Sequence, residues 1–216
     1  MRTRTALVAA ALAAALVMGL AAGSASANKL SFSNRNFRIT WATILFFTEG
    51  GNINPRASCP VTLEGSFHSA TIRKVPGELI GYITRAIVNG VMPPCTEGTS
   101  AFLPASLPWH VTYEGFSGTL PRISEIEIAI HDVAVEIREP VFRLACLYRD
   151  VEEAMEPLRG EFAVEAGGRI TTFTPNRRIR LRLDMGAGCP PSQFFEETPG
   201  TVVLLGTTNR IGVTLI

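Results

Sequence analysis

The chain has few of the residues on which common catalytic and metal sites depend. It contains only three histidines and four cysteines in 216 residues. The histidines (His68, His110 and His131) are far apart with no H-E-x-x-H spacing, and no two cysteines form the C-x₂₋₄-C pair of a zinc knuckle. A Gly-rich phosphate loop and a C-x-x-C redox pair are also absent. The sequence therefore predicts no metal, no cofactor and no catalytic residue.

Lysine and net charge are scarce as well. Lys29 and Lys74 stand against eighteen arginines, a bias typical of GC-rich genomes. The formal net charge is +1, and removal of residues 1–27 with their two arginines leaves 18 basic and 19 acidic side chains, a net charge of −1. Such a chain has no strong field to attract nucleic acid or an anionic membrane. Neither is expected as a partner.

The first 27 residues have the pattern of a secretory signal peptide. Two arginines precede an uncharged, Ala-rich run over 6–22, and a Ser-Ala-Ser-Ala stretch ending at Ala27 supplies small residues before the cleavage point. We expect cleavage between Ala27 and Asn28, which leaves 28–216 as one domain that is secreted or held in the cell envelope. An uncleaved membrane anchor is the alternative, but the run is short and mostly alanine. No membrane span is expected after cleavage.

All four cysteines follow the signal peptide. An even number in an exported chain predicts two disulfides with three possible pairings. We favour Cys59–Cys95 and Cys146–Cys189, because each bond closes a local loop and leaves the two halves independent.

Apolar and polar residues alternate along most of the chain, and helical periodicity is nearly absent. The apolar positions of these runs include Phe37-Ile39-Trp41, Cys59-Val61-Leu63, Ile126-Ile128-Ile130, Val133-Val135-Ile137, Phe142-Leu144-Cys146, Ile179-Leu181-Leu183 and Ile211-Val213-Leu215. Period-two alternation is typical of strands with one packed and one solvated face, and Gly, Pro, Asn and Ser separate the runs. The pattern predicts an all-β fold, an antiparallel sandwich or barrel of about ten to twelve short strands with two disulfides.

Four segments need separate interpretation. Residues 79–88 fit either a helix or a strand, and their β-branched and aromatic content favours a strand. Residues 151–158 fit a short helix or a charged loop equally well. Pro60, directly after Cys59, is expected at the start of a strand. The terminal run 211–216 is expected to pair into a sheet.

Four groups of polar residues are candidates for functional sites. Ser66 and His68 would share one strand face, and the His131-Asp132 pair is interpreted as a strand break. Glu125 and Glu127, with Glu136 as a possible neighbour, resemble the paired carboxylates of a glycosidase, but alternating Glu is usually the solvated face of a strand. The fourth group, on one predicted strand face, is Arg178, Arg180 and Arg182. We interpret it as cross-strand partners of the Glu125/Glu127 face, with an anion-binding surface as the alternative.

Four stretches carry a resemblance to a known group of proteins. They are Cys59 to His68 (CPVTLEGSFH), Leu107 to Tyr113 (LPWHVxY), Phe116 to Ile123 (FxGTLPxI) and the C-terminal Ile211 to Ile216 (IxVTLI). Together they resemble uncharacterised secreted proteins of GC-rich actinobacteria over nearly all of the mature chain. The resemblance implies export and a single domain, and it implies no activity, cofactor or fold.

These features favour a secreted or envelope-associated β-domain that acts without catalysis, by binding or as a structural component. The sequence does not identify the partner, and a cell-wall component and a small apolar ligand are the two candidates. One alternative is a carrier that holds a small apolar ligand in a barrel or sandwich cavity. A second alternative is a secreted hydrolase that uses His68, His110 or the Glu125/Glu127 face.

Overall fold

The computed structural model describes residues 29–88, 95–119, 121–150, 157–176, 180–196 and 198–216. Strands make up 64% of the structure and helix 2%, so the expected all-β fold is confirmed. The one helical turn described, Pro104–Ser106, is a 3-10 turn. The strands are β1 (Lys29–Phe32), β2 (Asn36–Glu49), β3 (Arg56–Phe67), β4 (Thr71–Arg73), β5 (Leu79–Val88), β6 (Thr99–Phe102), β7 (Trp109–Ser117), β8 (Glu125–Ile130), β9 (Ala134–Glu139), β10 (Leu144–Arg149), β11 (Leu158–Val164), β12 (Arg169–Pro175), β13 (Arg180–Met185), β14 (Ser192–Phe195), β15 (Gly200–Leu204) and β16 (Ile211–Leu215).

These sixteen strands exceed the ten to twelve expected from the sequence. The additional ones are short, such as β4 with three residues and β6 with four. Three or four residues contain too little alternation to be recognised from sequence.

Eight strands close into an antiparallel barrel. Its order is β12-β11-β8-β7-β5-β3-β2-β15, and β15 closes the ring by pairing with both β2 and β12. Thr201 marks the closure, since it lies opposite Thr40 on one side and Thr172 on the other. Beside β15, on the same edge of β12, the strand β16 pairs with Arg169 and Ile170, and β1 and β4 continue the sheet from it, so the C-terminal strand is paired as expected.

The other strands form an outer sheet that starts from the second half of β2. Its order is β2-β14-β13-β10-β9-β6. The sheet then returns to β3 through a bridge between Ser58 and Thr96, in which each backbone N–H donates to the other residue's carbonyl, at 3.0 and 2.9 Å. Strands β2 and β3 are therefore shared between the barrel and the outer sheet.

The change from barrel to outer sheet occurs at a β-bulge. Trp41 pairs with Val61 and Ile44 pairs with Cys59, so two residues of β2 oppose Pro60 alone. Proline has no N–H for the ladder, and a bulge is one of the places where a sheet tolerates it. The expectation that Pro60 begins a strand is wrong, because it lies in the middle of β3.

Aromatic rings fill the barrel. Phe37, Phe67, Phe162 and Phe173 contact one another in sequence along the interior, and Trp41 meets Phe173 edge to face at 6.0 Å. Wall glycines make the room for three of these rings. A Cβ on Gly65, Gly160 or Gly200 would lie within 2.8 Å of Phe37, Phe173 or Trp41, respectively. The interior of an eight-stranded barrel is just wide enough for side chains, and here they occupy it.

Both favoured disulfides are confirmed, Cys59–Cys95 and Cys146–Cys189. The first lies beside the Ser58–Thr96 bridge and so holds the outer sheet against β3. The second joins β10 to the residues that precede β14. Two disulfides are consistent with an extracellular or other oxidising location.

Several segment predictions are confirmed and others are not. Residues 79–88 form the strand β5. Phe142 was expected on a buried strand face, but β10 begins at Leu144 and Phe142 is 57% exposed in the preceding turn. The signal-peptide residues, including Ala27 and Asn28, and most of the helix candidate at 151–158 lie outside the described residues.

The glycine-to-ring contacts can be tested at Gly200. We expect Gly200→Ala to lower the free energy of unfolding by about 1–3 kcal/mol, because the new Cβ would lie 2.4 Å from Cε2 of buried Trp41. Gly167→Ala is the control. That glycine is in an exposed turn, where the nearest atom to a new Cβ is 3.6 Å away, so its effect should stay within about 0.5 kcal/mol. Urea unfolding of both variants measures the difference, and equal stabilities would contradict the filled-barrel description.

A second test concerns the role of the Cys59–Cys95 disulfide in holding the outer sheet against β3. The two disulfides close loops of 36 and 43 residues, so removing either should cost a similar free energy, about 4 kcal/mol on the chain-entropy view. Only Cys59→Ala/Cys95→Ala should speed amide hydrogen exchange at Ser58 and Thr96 beyond the global loss of stability. Cys146→Ala/Cys189→Ala is the matched control, and equal exchange at these two amides in both variants would contradict the assignment.

Candidate functional site

Two of the three histidines lie side by side on the outside of the barrel. The backbone N–H of His131 donates to the carbonyl of His110 at 2.8 Å, which joins β7 to the residue after β8. His68 lies beyond β5, where its N–H donates to Ile80. Two strand spacings and an offset of two residues along the strand, about 12 Å in all, separate it from His110. His68 and His110 therefore do not form a contact pair.

His110 is hydrogen-bonded to Asp132 through its Nδ1. Both side chains are about half exposed, at 49% and 50%. The ring of Tyr82 approaches His110 edge to face, with ring centroids 5.5 Å apart. Asp132 has a φ of 68°, in the left-handed region that non-glycine residues seldom adopt. This turn agrees with the interpretation of His131-Asp132 as a strand break. The side chain of Asp132, however, is hydrogen-bonded to His110 and not to the adjacent His131.

A second carboxylate supports the strained turn. Oδ2 of Asp150 accepts the backbone N–H of Asp132 at 2.6 Å, and the N–H of Asp150 donates to Val133 at 3.1 Å. Burial raises the pKa of Asp150 to about 6, although the hydrogen bond from Asp132 opposes the rise. This carboxyl therefore titrates in the mildly acidic range.

The polar contacts continue along β7 from His110. Nε2 of His131 lies 3.0 Å from the hydroxyl of Thr112, which also donates to Glu114 at 3.2 Å. Glu114 accepts from Arg159 on β11 at 3.0 Å. Burial lowers the pKa of His131, and nearby Asp132 and Glu114 oppose that shift. We call this row of outward side chains the polar belt; its members are Tyr82, His110, Thr112, Glu114, His131 and Arg159.

The polar belt leads into a groove on the outer barrel wall. The groove has a volume of about 330 Å³. Its polar walls come from β7, β8, β11 and the end of β12, and we call it the outer-wall groove; its polar residues are Glu114, Glu127, Arg159, Glu161, Thr174 and Asn176. Glu127 and Glu161 lie directly opposite each other in the strand register. The groove therefore combines carboxylates, a guanidinium, an amide and a hydroxyl.

The structure separates the other predicted groups. Glu127 is exposed, as expected for a solvated face, and Glu125 is half-buried. Glu136 is on β9, where it pairs with Arg138, and so it is not beside them. Arg182 is on β13 between β10 and β14, away from β8, so its expected pairing with the Glu125/Glu127 face is wrong. Arg178 and the side chain of Arg180 lie outside the described residues.

The described residues contain no group of three or more His, Cys, Asp or Glu side chains arranged to hold a metal ion. No helix among them is long and apolar enough to cross a membrane.

Comparison of the chain with protein-family models, with curated proteins and with solved structures finds no match.

Sequence reasoning missed the contacts that build this site. His110 and Asp132 are 22 residues apart, and Asp132 and Asp150 are 18 apart. The one available signal is the interruption of alternation at His131-Asp132, which marks the turn but does not identify its partners.

The pH dependence of stability tests the buried environment of Asp150. Because its folded pKa of about 6 exceeds the ordinary value of 3.8, the folded state holds this proton more tightly than the unfolded chain. Stability from this group is therefore full at low pH and falls as pH rises from 3.8 to about 6. Asp150→Asn keeps an oxygen for the N–H of Asp132 and does not ionise. We expect the variant to gain stability relative to the wild type across that window, with no further gain above it.

Urea unfolding at several pH values between about 4 and 8 measures this difference. Asp184→Asn, at the exposed ion pair with Arg149, is the control. A constant difference between wild type and Asp150→Asn at every pH would contradict the assignment.

Proposed function

We propose that this protein is an exported binding domain, secreted or held in the cell envelope, that acts without catalysis. Its ligand is a hydroxyl-rich molecule of the cell wall, a saccharide, which binds in the outer-wall groove. The arrangement of the groove is the observation that carries the proposal.

The groove offers many hydrogen-bonding groups on a rigid support. Its carboxylates are acceptors, Arg159 is a donor, and Asn176 and Thr174 are both. Sugars present alternating hydroxyl donors and acceptors, so a mixed set of this kind suits them better than it suits an apolar ligand. Because the side chains project from paired strands, their spacing is fixed before a ligand binds, which reduces the entropy cost of binding.

The filled barrel favours the outer wall over an internal ligand site. Fully buried Phe37, Phe162 and Phe173 occupy the interior space that a carrier would need for its ligand. The space beside the wall glycines is occupied by aromatic rings of the protein, so it does not form a cavity. An apolar cargo in the barrel is therefore the weaker alternative.

The proposed location rests on independent features of the chain. The N-terminal pattern is that of an export signal, and the paired cysteines fit an oxidising compartment. The near-zero net charge after cleavage suits a ligand recognised by hydrogen bonds more than by long-range attraction.

The His110–Asp132 pair supports hydrolysis as a second candidate function. An aspartate on Nδ1 orients the imidazole and leaves Nε2 available as a general base for water or a hydroxyl. Among the described residues, no serine hydroxyl is hydrogen-bonded to this ring. Activation of water towards an ester is the chemistry that the pair could perform alone.

Saccharide binding is the direct test of the proposed function. Calorimetry with neutral tetrasaccharides (xylotetraose, mannotetraose, chitotetraose and cellotetraose) and sedimentation with purified peptidoglycan should identify at least one ligand. Arg159→Ala/Glu161→Gln should weaken its binding at least tenfold, about 1.4 kcal/mol, because it removes a donor and a charged acceptor from the groove. Arg149→Ala/Asp184→Asn is the matched control, since it removes an exposed ion pair of the outer sheet.

Failure to bind any of these saccharides or peptidoglycan would contradict the proposal, as would equal weakening in both double variants. The same samples are to be assayed for acetate released from acetylated xylan. Release that is lost in His110→Gln and kept in His68→Gln would assign the hydrolytic function instead.

A further inference from the structure

Both lysines of the chain line one concavity. Lys29 is on β1, and Lys74 follows β4 directly. With Arg73 they face a space of about 790 Å³ whose other wall includes Val75 and Phe116. We call this the lysine pocket. The chain has eighteen arginines and only two lysines, and the fold brings both lysines to this one site.

Ion pairs neutralise the other charges around the lysine pocket. Arg73 binds Glu78, with Nη2 2.8 Å and Nε 2.9 Å from Oε1 of the carboxylate. Glu114, on the opposite wall, is paired with Arg159. Burial raises the pKa of Tyr113 to about 12, with a smaller contribution from Glu127, so Tyr113 adds no negative charge.

Apart from the side chains in these ion pairs, the charged side chains that line the lysine pocket are Lys29 and Lys74. Neither forms a salt bridge within the described part of the chain. The lysine pocket is therefore a local region of positive charge on a chain that is nearly neutral overall.

The position of Lys74 is fixed by an aromatic ring. Its Nζ lies 4.8 Å from the centroid of Phe116, within the range of a cation–π contact. Phe116 is half-buried on β7, so the ammonium rests on a ring that a paired strand holds in place. A lysine ammonium is a compact point charge that binds a carboxylate or phosphate without a fixed approach angle.

The lysine pocket adjoins the outer-wall groove, because Glu114 lines both. The two surfaces differ in charge. The groove is lined by the carboxylates Glu114, Glu127 and Glu161 and by one cation, Arg159, while the pocket is lined by three cations and one carboxylate, Glu114. A ligand with an acidic group on every sugar would be repelled in the groove. A ligand with one acidic group beside neutral sugars matches both surfaces.

We propose that the lysine pocket binds the single acidic group, a carboxylate or a phosphate, of a saccharide whose neutral sugars occupy the outer-wall groove. This inference rests on the proposed function, and it specifies the chemical class of its ligand.

Matched pairs of oligosaccharides test the inference. Xylotriose with one glucuronic acid is compared with xylotetraose, and mannotriose with one mannose 6-phosphate is compared with mannotetraose. For at least one pair, calorimetry at low ionic strength should give at least tenfold tighter binding of the acidic member. The preference should shrink in 0.5 M NaCl, where the Debye length is only about 4 Å. A fully ionised tetragalacturonate should bind more weakly than the singly charged ligands. The xylose and mannose arms distinguish a carboxylate ligand from a phosphate ligand.

Substitutions in the lysine pocket complete the test. Lys29→Gln/Lys74→Gln should abolish the preference for the acidic member and leave the affinity for the neutral one unchanged. Lys29→Arg/Lys74→Arg should keep the preference. Arg122→Gln/Arg182→Gln removes the same charge from exposed positions elsewhere and should also keep it. Thermal unfolding checks that all three variants fold.

The possible failures are distinguishable. Equal binding of acidic and neutral members by the wild type would overturn the acidic-group assignment and leave saccharide binding intact. A preference that survives in Lys29→Gln/Lys74→Gln would also overturn the assignment. Absence of binding to every saccharide would overturn the proposed function and, with it, this inference.

Discussion

The sharing of two strands between the barrel and the outer sheet is the constraint on which the rest of the structure depends. Strands β2 and β3, of 14 and 12 residues, are long enough to cross from one to the other. On β2 the bulge opposite Pro60 moves the buried positions from odd to even residues, so that Trp41 faces the barrel and Phe46 packs with the outer sheet. The Cys59–Cys95 bond lies in the same region, where it attaches the residues before β6, the last strand of the outer sheet, to β3.

Filling of the barrel is the reason for proposing a ligand site on its outer wall. A closed ring of eight strands has little interior volume, and the wall glycines Gly65, Gly160 and Gly200 give that volume to large aromatic rings. The rigid interior in turn fixes the outer faces of the same strands. On β7, the inward residues Trp109 and Val111 alternate with outward polar ones, so one strand supplies both core and candidate site.

The candidate surfaces combine two kinds of recognition on one barrel wall. The outer-wall groove provides hydrogen-bonding groups at positions set by strand register, and the lysine pocket provides charge at the edge where β1 and β4 join the sheet. Glu114 belongs to both, and its ion pair with Arg159 holds it in place. The His110–Asp132 turn is connected to the same wall through Thr112 and His131. The wall therefore behaves as one preorganised polar surface.

The sequence by itself determined the all-β class, most of the strand positions and the presence of two disulfides, and among three possible pairings it favoured the one that forms. Period-two alternation is a local property, and the cysteines that pair are neighbours along the chain. The tertiary structure alone decided that the sheet closes, that Pro60 lies mid-strand and that Asp132 pairs with His110. It also brought Lys29 to Lys74, which are 45 positions apart. The physical reason is that strand order and register depend on packing between distant segments, and a local pattern carries no information about which distant face a side chain will meet.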